Sequence, residues 1–91
     1  MSMAEQWPAF LTARAAMLNN RGPWRAEMAE ALRGIASAET GGDGHRALLA
    51  RTARALLDEL EALPPSPSAR ERLAFFERSY RFTRIGQRIF S

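Results

Sequence analysis

The sequence predicts an all-α protein, a small four-helix and mainly antiparallel bundle. Three observations lead there. Alanine, leucine, arginine and glutamate, all good helix formers, dominate a chain that has no valine and few other β-branched residues. Apolar residues recur at three- and four-residue steps in four separate stretches. Glycine, proline or serine punctuates each stretch, and short connections of this kind join antiparallel neighbours. The 91 residues suffice for one domain, 1–91, with helices expected at about 7–19, 23–39, 44–63 and 69–89.

In the first helix Trp7, Phe10, Leu11, Met17 and Leu18 fall near one side. Pro8 fits best in the first turn, where its missing N–H costs little, so the helix is expected to begin close to Trp7. Asn19-Asn20-Arg21-Gly22 is a stop in which asparagine or glycine takes the left-handed cap. Pro23 opens the second helix, and Trp24, Met28, Ala31, Leu32 and Ile35 form its stripe. Both tryptophans are expected in the core, with Trp7, nearer the end, the more exposed of the two. Gly34, an interior glycine costing about 1 kcal/mol against alanine, marks a close helix approach.

Thr40-Gly41-Gly42-Asp43-Gly44 separates the middle helices, with Asp43 as the natural N-cap of the third. Leu49, Ala53, Leu56, Leu60 and Leu63 then make a coiled-coil-like seam, which Leu57 widens. Pro64-Pro65-Ser66-Pro67 stops that helix, and Ser68 with Glu71 supplies a capping box for the fourth. In the fourth helix Phe75, Phe82 and Ile89 stack on one side, with Ser79 and Gly86 beside them as a groove for a neighbouring helix. Tyr80-Arg81-Phe82 alternates as a short strand would, but no partner strand is visible. The expected core comprises Phe10, Leu11, Leu18, Trp24, Met28, Leu32, Ile35, Leu49, Leu56, Leu60, Phe75, Phe76 and Phe82.

The third helix carries Arg46, Arg51 and Arg54 early and Asp58, Glu59 and Glu61 late, against its own macrodipole. Two compensations are expected: Arg70 and Arg72 approaching the acidic end across the proline-rich turn, or a homodimer through the third helix.

Enzymatic motifs fail one by one, and no enzyme activity is expected. The chain has no cysteine and a single histidine, His45, so no metal site and no cofactor are expected. The glycines before His45 lack the lysine and the preceding strand of a phosphate-binding loop. Ser37, His45 and Asp43 have no nucleophile elbow or scaffold to hold them as a triad. Asp58, Glu59 and Glu61 read as a solvated face rather than a carboxylate pair. The segment from Met1 to Trp7 lacks the basic and apolar regions of a secretory signal, and no apolar run approaches the ~20 residues of a membrane span. A cytoplasmic location and no membrane partner are therefore expected.

Charge carries the one functional signal. The net charge of +3 divides into −1 over residues 1–63 and +4 over residues 64–91. On a continuous fourth helix Arg70, Arg81, Arg84 and Arg88 occupy a sector of about 60°, broken only by Glu77 and bordered by Tyr80 and Ile85. Arginine suits bidentate contact with carboxylates and phosphates. Arg70, Arg81, Arg84, Arg88 and Tyr80 are thus the candidate partner-binding residues. The function expected is a non-catalytic helical protein-interaction module, an adaptor, chaperone or accessory subunit, that meets an acidic protein surface through its basic C-terminal helix. The alternative is a nucleic-acid-binding accessory or regulatory protein contacting phosphates through the same helix.

Overall fold

The chain contains two S-x-x-E sequences, Ser2–Glu5 and Ser68–Glu71, and both open helices through reciprocal capping boxes. The structure, a computed structural model, describes residues 2–42 and 44–90. Among these residues there are five helices and no strand: α1 (Met3–Leu18), α2 (Trp24–Ala36), α3 (Gly44–Glu61), α4 (Ala69–Arg78) and α5 (Tyr80–Phe90). They pack into a body of 38 × 19 × 19 Å. Asp43, expected to cap α3, lies outside the described residues. No helix among the described residues is long and apolar enough to cross a membrane.

The start of α1 differs from the expectation. Ser2 caps it, so Pro8 stands inside the helix rather than in its first turn. Pro8 is exposed, so the backbone group that its missing N–H leaves unpaired sits near solvent. The other end follows the expected stop. Asn20 takes the left-handed conformation with φ 51°. The N–H groups of Asn20 and Arg21 then donate to the carbonyls of Met17 and Ala16, at 3.1 and 3.0 Å, closing a Schellman motif. The Asn20 side chain accepts the indole N–H of Trp24 at 3.0 Å, tying this cap to the start of α2.

The segment expected as one helix over 69–89 is two, interrupted at Ser79. The cause is a side chain from α1. Arg14 Nε donates to Ser79 Oγ at 2.6 Å, and Arg14 Nη2 donates to the Phe76 carbonyl at 3.0 Å. Ser79 Oγ itself donates to that carbonyl at 2.6 Å. The carbonyl that would extend α4 is thereby occupied by side chains, a recognised cause of helix kinks. The Arg14 guanidinium also lies 3.6 Å from the centre of the Phe76 ring and stands at the negative end of α4.

The core contains Phe10, Met17, Met28, Leu32, Ile35, Leu49, Leu60, Phe75 and Phe82, each at most 1 % exposed. Leu56 and Trp24 are buried as expected, while Leu11 and Phe76 are half-buried. Leu18 is a correction: it is 40 % exposed at the last position of α1, where Met17 takes the inward place. Trp7 is no more exposed than Trp24, each at 5 %. It sits among Phe10, Phe82 and Phe90, with ring centres 5.7, 5.6 and 5.8 Å away. Gly86 makes room for it: a Cβ there would overlap the six-membered ring of the Trp7 indole. Ser79 and Gly86 thus form the groove expected of them, and α1 lies in it through Arg14 and Trp7. Gly34 likewise admits α1, since a Cβ would come within 2.9 Å of Gln6.

The acidic end of α3 is served by Arg25 of α2 and, at Glu59, by Arg78 of α4, rather than by Arg70 or Arg72. Arg25 donates to the carbonyls of Leu60, Leu63 and Pro64 at 3.0, 2.7 and 2.6 Å. It satisfies terminal carbonyls and places a cation at the negative end of the dipole. Arg72 turns instead to the Pro67 carbonyl at 2.8 Å.

Candidate functional site

One face of α5 is spent on the core: Phe82, Thr83, Ile85 and Gly86 are buried. The opposite face carries Arg81, Arg84 and Arg88, all exposed and spaced by three and four residues, so they stand in one row. Helix α3 packs alongside. Glu59 and Arg78 pair at one end of the contact at 3.1 Å, and His45 and Arg88 line the other end together.

Between α3 and α5 lies an open cleft of about 330 Å³, lined by His45, Leu48, Tyr80, Arg81, Arg84, Ile85 and Arg88. Buried Ile85 and half-buried Leu48 form its apolar floor, and the polar side chains form its rim. None of the described lining residues is acidic. Among the described residues the one side-chain ion pair is Arg78–Glu59, so no described carboxylate lies within 4.0 Å of the Arg81, Arg84 or Arg88 guanidinium groups. The cleft also adjoins the start of α3, whose first turn holds no acid and which is the positive end of that helix's dipole. Tyr80, 58 % exposed, brings its ring within 5.9 Å of the Arg84 guanidinium. These groups together can receive an anionic, oxygen-rich partner with apolar parts.

Four of the five residues singled out from the sequence, Tyr80, Arg81, Arg84 and Arg88, come together here. Arg70 does not line the cleft. It stands in the first turn of α4, and the break at Ser79 ends the continuous helix on which the shared sector was reckoned. Sequence reasoning missed His45 and Leu48, which reach the site through the packing of α3 on α5. No local signal marks them, because the amphipathic pattern of α3 says which side faces inward but not which helix lies there.

Other groups offer less. Ser37 caps α2, with its hydroxyl donating to the Arg33 carbonyl, and does not line the cleft with His45. No group of three His, Asp or Glu side chains among the described residues is arranged to hold a metal ion. A larger depression of about 590 Å³ lies between the start of α2 and the proline-rich turn. Its Arg25 is already committed to backbone carbonyls, and its other charged lining residues, Arg33 and Glu61, are of opposite sign. Comparison of the chain with family models, curated proteins and solved structures finds no match to any of them.

Proposed function

We propose that the chain is a non-catalytic interaction module, of the adaptor, chaperone or accessory-subunit kind, that receives an acidic protein surface in the cleft between α3 and α5. In this reading it is a four-helix, mainly antiparallel bundle whose last helix is broken into α4 and α5. The observation that carries the reading is the convergence of Arg81, Arg84, Arg88 and His45 around an apolar floor with no carboxylate among the described lining residues. A cluster of exposed guanidinium groups favours a carboxylate-rich partner, and its field speeds the partner's approach. The arginines and the start of α3 also suit phosphates, which keeps nucleic acid as the second reading. The exposed Tyr80 ring and the −1 charge of residues 1–63 favour protein over a polyanionic backbone.

Fluorescence anisotropy with a labelled polyglutamate peptide and a labelled DNA duplex tests both. The peptide is expected to bind the native protein and to lose binding in the double variant Arg84→Glu/Arg88→Glu. Circular dichroism must show that the variant remains helical, with a stability loss of about 0.3–1 kcal/mol from the acid that Arg88→Glu places in the last turn of α5. Unchanged peptide binding in the folded variant overturns the proposal. Tighter binding of the duplex, with an affinity that collapses as salt rises, replaces it with the second reading.

A further inference from the structure

Among the described residues three large apolar side chains remain exposed, and two of them, Leu73 at 50 % and Tyr80 at 58 %, lie on the outer side of α4 and α5. Leu73 and half-buried Phe76 are three residues apart on α4 and share a face. Phe76 and Tyr80 then line one shallow depression together with Arg14 and Glu77. Tyr80 also lines the basic cleft, so the two surfaces meet at its ring. The outcome is a track that crosses the break at Ser79: Leu73, Phe76 and Tyr80 give one half its apolar character, with the Arg14 guanidinium over the Phe76 ring, and the row from Arg81 to Arg88 makes the other half basic. At 1.5 Å per residue the track follows roughly 20 Å of helix, about four turns.

We infer that this track docks an amphipathic helix of a partner protein whose one end is apolar and whose other end is acidic. The inference rests on the cleft reading above and adds the apolar half. A helix is the fitting shape because its side chains repeat at the same three- and four-residue steps as Leu73 and Phe76 on α4 and as Tyr80, Arg84 and Arg88 on α5, so each half of the track can face a helical row. Charge complementarity sets its direction. Arg81, Arg84 and Arg88 select acids over one half. Glu77, near the middle of the track, repels an acid placed opposite it and confines the partner's carboxylates to the arginine end. The aromatic residues at the junction provide anchors, since burying an exposed ring at an interface contributes more than rim charges do.

Selection from a displayed library of random 16-residue peptides on the full chain tests the inference, with an unrelated basic protein as counter-selection. The expected winners combine an apolar i, i+3 or i+4 pattern in one half with aspartate or glutamate in the other. Their affinity should fall at least about tenfold in Leu73→Ser/Tyr80→Ser and, separately, in Arg84→Glu/Arg88→Glu, both variants remaining helical. Winners that are acidic throughout, sensitive to the arginine variant and indifferent to Leu73→Ser/Tyr80→Ser, overturn the amphipathic helix but leave the basic cleft standing. Winners indifferent to both variants, or no enrichment over the counter-selection, overturn the two together.

Discussion

Helix propensity and packing make opposite predictions for Gly86→Ala, and the structure decides between them. Gly86 lies inside α5, where alanine is favoured over glycine by about 1 kcal/mol on propensity alone. A Cβ at that position, however, would fall onto Cη2, Cζ3 and Cζ2 of Trp7. The indole is rigid and 5 % exposed, and Phe10, Phe82 and Phe90 surround it. Relief therefore requires α5 to move or a packed aromatic cluster to shift. Overpacking of this kind costs about 1–3 kcal/mol, and the rigidity of the obstacle places Gly86 at the upper end. Subtracting the propensity gain leaves a net loss of about 2 kcal/mol. For a domain of this size that lowers Tm by about 8–16 °C. Urea denaturation of the native chain, Gly86→Ala, Trp7→Phe and the double variant measures both the loss and its origin. The smaller ring that Trp7→Phe introduces should recover part of the loss, with a coupling of at least about 1 kcal/mol. Gly34→Ala is the contrast, because the Gln6 side chain it meets at 2.9 Å, though buried, has more rotatable bonds than the indole, and its loss should be smaller than that of Gly86→Ala. A Gly86→Ala protein stabilised by about 1 kcal/mol, or effects that simply add to those of Trp7→Phe, would refute the packing of α1 against α5.

Three further outcomes are expected. Arg14→Met keeps the aliphatic stem but removes the donors to Ser79 Oγ and the Phe76 carbonyl, and urea denaturation should show a loss of about 1–2 kcal/mol. Leu56→Ala, at a site 3 % exposed between α3 and its neighbours, should cost about 2–5 kcal/mol; a change below about 0.5 kcal/mol would place Leu56 at the surface. Donation from the Ser2 N–H and hydroxyl, at 3.1 and 3.0 Å, holds the Glu5 carboxyl below its ordinary value of 4.5. Its contribution is complete above that unfolded value and is lost as pH falls through the lower folded one. The stability advantage of the native chain over Glu5→Gln, measured in urea at successive pH values, should therefore shrink on acidification and be steady above pH 4.5.

Helical character, the places where loops fall and the gathering of positive charge in the last segment were all legible along the chain. These features depend on interactions spanning only a few residues. The Ser68–Glu71 box, the Asn20 cap and the Leu49, Ala53, Leu56, Leu60 seam act within one or two turns, and each appears where local chemistry requires it. The second capping box, Ser2–Glu5, was equally readable, but Pro8 pointed to a later start. Other features belong to packing between distant segments. The break at Ser79 depends on Arg14, which stands 65 residues earlier in the chain, so no reading of residues 69–89 alone reveals it. Periodicity placed Leu18 and Met17 on the same broad side of α1, and only the packing of the other helices on α1 chose Met17 for the core. The candidate site is divided in the same way. The row Arg81, Arg84 and Arg88 is a property of one helix and was visible from spacing. The addition of His45 and Leu48 and the loss of Arg70 follow from which helices lie side by side and where one bends, relations set by contacts between residues far apart in the chain.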